Sequence, residues 1–256
     1  MIKINGLSKK YNGLLAIDNL TLTVPERSIF GYVGPNGAGK STTINILTGM
    51  ILPTEGEVKL LGYDLRKDSI EIKKRIGVIL EVLNLFEGLT GEEHLRFVGK
   101  VYKIDKNILE KRIKETLDFF DLTSAKDRLI ETYSQGMKKK LAFASAIIHK
   151  PKILLMDEPF ENVDPISRKK IKDILNKFRN NGSTILITSH SLVEVEDFCD
   201  EVAIINKGEI VFQSATKDIR HKIKNEITQE TYQSLEEIFI DLTTKKEDKE
   251  KTLSWL

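Results

Sequence analysis

The sequence predicts an α/β fold in which a mixed, largely parallel sheet follows an antiparallel N-terminal β region and is interrupted by an inserted helical subdomain. Three observations lead there. The apolar runs SIFGYV, KILLMD, STILITS and EVAIIN are too short for helices and alternate with segments of helical period. Such alternation implies parallel strands joined by helical crossovers. A glycine-rich segment connects the first of these runs to a helix-like stretch. Between about Glu87 and Lys150 the strand signal disappears, and apolar residues recur every three or four positions.

The elements follow in order. Leu20, Leu22 and Val24 alternate with Thr21 and Thr23, the period-two pattern of a half-buried strand, and Pro25 stops it. SIFGYV leads into the glycine-rich loop, and a helix is expected from Lys40 to about Met50. Pro53 to Gly56 forms a turn, EVKLLG a strand, and Arg75 to Leu80 another. In the helical region Thr90 and Glu93 have capping-box spacing, with Leu95, Val98 and Tyr102 behind them. Leu109, Ile113, Leu117 and Phe120 mark a second helix, and Leu141, Ser145 and Ile148 a third that Pro151 ends. KILLMD restores the strand pattern. Asp164 as N-cap and Pro165 at the first position open the next helix, with Ile171, Ile174, Leu175 and Phe178 on one face and Gly182 at its end. STILITS is a strand, Ser191 and Glu194 suggest a second capping box, and EVAIIN turns through Lys207 and Gly208 into EIVFQ as a hairpin. A main domain over 1–213, with its helical subdomain at about 87–150, precedes a polar tail over 214–256. In the tail, Leu235, Ile238, Phe239 and Leu242 share a helical face, and Lys245 to Lys251 reads as a solvated end.

Composition excludes several classes. The chain has 256 residues, 40 Lys plus Arg against 38 Asp plus Glu, and one cysteine. A net charge of +2 gives no general footprint for nucleic acid. Cys199 alone supports neither an intramolecular disulfide nor a cysteine zinc site. No run approaches the length of a membrane span, and the N-terminus shows no apolar targeting core, so a cytoplasmic protein is expected.

The residues that carry chemistry begin with Gly34-Pro35-Asn36-Gly37-Ala38-Gly39-Lys40-Ser41, followed by Thr42, between an expected strand and an expected helix. At ordinary glycine frequencies the pattern G-x-x-x-x-G-K-[ST] arises by chance in about one chain of this length in a hundred. Its glycines let backbone N–H groups close around phosphate oxygens at the positive end of a helix dipole. Lys40 would neutralise phosphate charge, and the Ser41 hydroxyl would ligate Mg²⁺. Asp157, at the end of a buried-strand run, is the second Mg²⁺ ligand such a loop requires, and Glu158 is placed to polarise an attacking water. Two acids after a strand otherwise mark only its solvated end, and the loop upstream decides between these readings. Tyr133-Ser134-Gln135-Gly136-Met137 precedes a helix, where a Ser hydroxyl and free N–H groups make either an anion site or an ordinary N-cap.

Taken together, these residues resemble the ATP-binding subunits of ABC transporters. Walker A at Gly34 to Ser41, the signature YSQGM, the Walker B strand with Glu158, Asn162-Val163-Asp164, and His190 after STILITS occur in that family's order from about Ile2 to Phe212. The resemblance implies ATP and Mg²⁺ as cofactors. It implies that Tyr11 stacks on adenine, that Glu81 stands where the family has its Q-loop glutamine and ligates Mg²⁺, and that His190 contacts the γ-phosphate. It implies that Ser134 and Gly136 belong to the ATP site of an opposing subunit in a head-to-tail dimer, with itself or with a sister chain, and that Asp164, in a D-loop-like segment, is a nucleotide-binding residue. Tyr11 as a plain surface tyrosine and His190 as a turn-bonding residue are the alternatives.

The sequence departs from the family pattern at Glu81 for Gln, at Gln135 and Met137 within the signature, and at Phe160, Glu161 and Asn162 after Walker B. The stretch around Glu81 and the tail SLEEIFIDLT are most similar to ATPase subunits of bacterial ABC-2-type exporters. This implies two membrane permease subunits as partners, attachment to the inner face of the cell membrane, and Val82, Leu83, Leu85 and Phe86 as contact residues unless they pack against the helices. An importer subunit or a non-transport ABC ATPase is the alternative. Asn206-Lys207-Gly208-Glu209 only approximates a guanine-reading motif, and it coincides with a hairpin turn.

Overall fold

A computed structural model of the chain describes residues 1–224 and 231–243. Its elements are β1 (Ile2–Tyr11), β2 (Leu14–Val24), β3 (Ile29–Val33), α1 (Lys40–Leu47), β4 (Glu55–Leu60), β5 (Tyr63–Asp64), α2 (Ser69–Lys73), β6 (Ile76–Ile79), α3 (Gly91–Val101) and α4 (Lys106–Phe119). There follow α5 (Gln135–Ile147), β7 (Ile153–Met156), α6 (Pro165–Asn180), β8 (Thr184–Thr188), α7 (Leu192–Phe198), β9 (Glu201–Asn206), β10 (Glu209–Ala215), α8 (Ile219–Lys222) and α9 (Leu235–Thr243). The Lys245 to Lys251 segment lies outside the described residues.

Two sheets form. A six-stranded sheet has the order β10-β9-β3-β8-β7-β6, parallel throughout except for the antiparallel edge strand β10. A four-stranded antiparallel sheet has the order β2-β1-β4-β5. The central strands read as unbroken apolar runs because both their faces are buried. Ile29, Val33, Leu154, Met156, Ile185 and Ile187 pack toward the helices. Phe30, Tyr32, Ile153, Leu155, Leu186 and Ala203 pack toward the antiparallel sheet and α1. At about 1.5 to 3 kcal/mol for each fully buried large apolar side chain, these two layers supply the main driving force that fixes the strand order.

α1 is shorter than its apolar period suggests, because Gly49 turns left-handed at φ +69 just beyond it. The Thr90–Glu93 capping box is reciprocal, with Glu93 N donating to Thr90 Oγ1 at 3.2 Å and Thr90 N donating to Glu93 Oε2 at 2.9 Å. The expected box at Ser191 and Glu194 is only half made. Ser191 caps α7, but the Glu194 carboxylate turns away to Lys172 Nζ at 2.9 Å. β5 and α2 carry no sequence signal: β5 has two residues and α2 five. The tail joins the main core, since Ile219, Leu235 and Ile238 are buried in the cluster on the helical side of the central sheet. Leu242 departs from the expected shared face and is exposed.

Candidate functional site

Strand register assembles the site. Ile79, Met156 and Ile187 lie side by side in β6, β7 and β8, and Tyr32 of β3 pairs with Thr188. The residues just past these positions therefore emerge together at the C-terminal edge of the parallel strands, where open α/β sheets place ligands. From β6 comes Glu81, from β7 Asp157 and Glu158, from β8 His190, and from β3 the glycine-rich loop. All of them, with Ala16, Asn36, Gly37, Gly39, Lys40, Ser41 and Thr42, line one cavity of about 380 Å³.

The loop's glycines have separate steric reasons. A Cβ on Gly34 would meet Ile205 O at 2.3 Å, and one on Gly39, at φ +111, would meet Ala16 O at 2.8 Å. Gly37 also takes a positive φ, +78, in open space, which leaves a concave backbone cradle facing the cavity. No side chain caps α1 and its first turn holds no acid. Its positive end is thus left for an anion. Gly34, Pro35 and Ala38 are not among the residues lining the cavity, and Lys40 Nζ donates to Gly34 O at 2.7 Å and Pro35 O at 3.2 Å. Burial lowers the Lys40 pKa, while Glu158, Asp157 and Glu81 act to raise it.

Asp157 and Glu158 are both buried, and one hydroxyl holds them in place. Thr188 Oγ1 donates to Asp157 Oδ1 and accepts from Glu158 N at 3.0 Å. Glu158 has the left-handed φ of +47, and its Oε2 accepts from His190 N at 3.2 Å. His190 Nε2 is 3.1 Å from Oε1 but not aligned as a donor, so this buried oxygen has no hydrogen-bond partner. Burial raises the Glu158 pKa, opposed by His190 and Lys40 and reinforced by Asp157. A carboxylate so placed is a stronger base than a solvated one.

Tyr11, Ser134, Gly136 and Asp164 stand outside this cavity. Tyr11 ends β1, is 44% exposed, and carries the Lys9 ammonium 5.0 Å from its ring centroid. Ser134 caps α5, its Oγ accepting from Met137 N at 3.2 Å, and Gly136 lies in the first turn. Asp164 caps α6 through a 2.9 Å bond from Ser167 N, and its hydrogen bonds from Ser167 hold its pKa down at about 2.

Sequence reasoning missed Thr188, which reads as one more residue of a buried strand, and Lys139, which lies in a run of lysines that looks like a solvated face. Phe160, unexplained by sequence, is buried edge-on against Phe198 at 5.8 Å, with the Lys172 ammonium over both rings at 5.3 and 5.2 Å. It ties the segment after Glu158 to α6 and α7. Of the expected contact residues, Leu83 and Leu85 pack partly against the helical core, whereas Val82 and Phe86 are exposed, at 76% and 53%. Leu83, Leu85 and Phe86 line a second cavity of about 310 Å³ between β6, α3 and α5.

Residues 17–161 match a family model described as ABC transporter. The chain is 35% identical over 226 residues to the daunorubicin/doxorubicin resistance ATP-binding protein of Streptomyces peucetius, covering 88% of this chain and 68% of that protein. It is 34% identical over 242 residues to the linearmycin resistance ATP-binding protein of Bacillus subtilis, covering 94% and 78%. A dimeric ATP-binding cassette solved in a post-hydrolysis state with ADP and Pi superposes with a TM-score of 0.78 at 26% identity, over 84% of this chain and 99% of that one.

Proposed function

Because this chain belongs to the ABC transporter family as an ATP-binding, ATP-hydrolysing subunit, we propose that it powers a bacterial ABC-2-type exporter and that the cavity beneath the glycine-rich loop is its catalytic site. The observation that carries this reading is the meeting of Lys40, Asp157, Glu158 and His190 in one cavity at the uncapped start of α1. Export fits the drug-resistance roles named for its relatives.

In this reading Lys40 and the loop's N–H groups hold the phosphates. The donors present suit Mg²⁺: the Ser41 hydroxyl, a carboxylate oxygen of Asp157 and the Glu81 carboxylate are hard oxygen ligands around a single space. The metal would neutralise phosphate charge there. Glu158 accepts the proton of the attacking water at its unpartnered Oε1, and Thr188 and the His190 backbone keep that carboxylate aimed. Ser134, Gly136 and Asp164 act on the nucleotide of a second copy or a sister chain. Phosphate release by the purified full chain with Mg²⁺ and ATP, against chelated and GTP controls, tests the catalytic assignment. Silence with Mg²⁺ and ATP in the presence of the permease would sink it.

Tyr11 is assigned to the base. Tyr11→Ala weakens ATP binding by about 1 to 3 kcal/mol and Tyr11→Trp retains it. Calorimetry showing one affinity for all three proteins removes Tyr11 from the site.

No described helix is long and apolar enough to cross a membrane. We place the subunit on the inner face of the membrane through permease subunits seated in the cavity beside Leu83, Leu85 and Phe86. Phe86 contacts Phe97 edge-on at 5.0 Å in the wall of that groove. Phe86→Asp puts an unpaired charge there and reduces permease co-purification by about tenfold or more, while ATP affinity of the isolated chain stays as it was. Undiminished co-purification moves the contact elsewhere.

A further inference from the structure

Lysines 138, 139 and 140 stand consecutively in α5, yet they reach three different segments. Lys138 pairs with Glu87 beyond β6, Lys139 Nζ donates to the backbone carbonyl of Glu158 at 2.8 Å, and Lys140 Nζ lies 3.7 Å from Asp164 Oδ2. Lys139 is the unusual member, because it is 5% exposed. Burying an ammonium is costly unless carboxylates and hydrogen bonds surround it. Glu161, Asp157, Glu158 and Glu81 supply the charge, although burial still lowers the Lys139 pKa.

Among the residues lining the cavity, what the ammonium holds is the one non-glycine with a left-handed backbone. Glu158 at φ +47 carries a side chain in a region that disfavours one, so its conformation depends on what grips its peptide groups. Its N–H is held by Thr188 and its carboxylate by the His190 N–H, both from the β8 side. Its carbonyl is held by Lys139, from the helical insertion.

We propose that Lys139 is a positioning residue for hydrolysis, fixing the Glu158 carbonyl so that the carboxylate points into the cavity and linking it to the helix that Ser134 opens. The inference rests on Glu158 being the water-activating base. If Ser134 serves the opposing subunit's nucleotide, Lys139 also connects the base of one site to the helix that completes the other.

The test compares kcat, KM for ATP and the melting temperature of the full chain, the Lys139→Met variant and the Lys139→Arg variant, with Mg²⁺. Met matches the length without the donor. Its kcat is expected to fall about tenfold or more, with KM within about twofold of the parent, and Arg is expected to recover at least about half of the parental kcat. A Met variant turning over like the parent overturns the proposal. So does a loss shared by kcat, KM and melting temperature that Arg does not rescue, which marks Lys139 as structural only. If the Met chain does not fold, the Arg chain decides alone: parental KM with at least half the kcat supports positioning, and a collapsed kcat overturns it. A parent without ATPase activity even in the presence of the permease would instead refute the catalytic reading.

Discussion

Replacing Glu158 by Gln leaves ATP bound and lowers turnover by about 10²-fold or more, since the amide keeps the shape and the His190 contact but cannot take a proton. Single-turnover phosphate release checks it, and near-normal hydrolysis would dismiss Glu158 as the base. The same variant separates function from stability. Burial raises the folded-state pKa of Glu158 above its unfolded value. Ionising it therefore costs stability, a cost absent below the unfolded pKa and complete above the folded one. At neutral pH Glu158→Gln should melt higher than the parent, and the difference should vanish in acid. The acid limb of the parental kcat/KM profile, which reports the free enzyme, should lie above the ordinary carboxylate range for the same reason.

Much of this site was legible because its chemistry is carried by local patterns. The loop from Gly34 to Ser41 combines two glycines, Gly34 and Gly39, where a Cβ would strike a backbone oxygen, with a lysine of the kind that phosphate binding uses. Asp157 and Glu158 stand out as charges ending an apolar strand. The central strands declared themselves because two buried faces leave no room for alternation. What stayed hidden depends on tertiary approach. Thr188 clamps Asp157 and Glu158 from a neighbouring strand, which no spacing within β8 reveals. Lys139 is set apart from Lys138 and Lys140 only by the direction in which α5 meets β7. Phe160 acquires its meaning from Phe198 and Lys172, both far along the chain. Ser191 with Glu194 had the spacing of a box, but Lys172 competes for the same carboxylate and wins with a charge.

Two inactive variants restore activity when mixed if the site is shared. Lys40→Ala removes the ammonium of the glycine-rich loop and leaves the start of α5 intact; Ser134→Arg alters the start of α5 and leaves the loop intact. Ser134 lies outside the cavity that contains Lys40, so a single chain does not bring the two together. Each homodimer is expected at background. A heterodimer has one wholly intact site and one doubly damaged site. With statistical mixing of equal amounts, half the dimers are of this kind, and recovery should peak at about a quarter of parental turnover. The measurement is phosphate release across a titration of one purified variant into the other, with the permease present. A flat line at background would mean that each chain builds its site alone or that one intact site cannot work by itself, and either result discards the mechanism as stated.

The strand order has a consequence for how the molecule comes into being. β3, which ends at the glycine-rich loop, lies between β8 and β9, and its nearest partner begins at Thr184. A ribosome adding about 5 to 20 residues per second leaves β3 without a sheet neighbour for roughly 8 to 30 s. During that interval the hairpin of β1 and β2 and the helices α3 to α5 already have local partners, whereas Ile29 to Val33 must wait for distant ones. The segment that begins the glycine-rich loop is thus among the last to find its place, and a nascent chain halted within the helical insertion has the complete loop sequence without the sheet that shapes it.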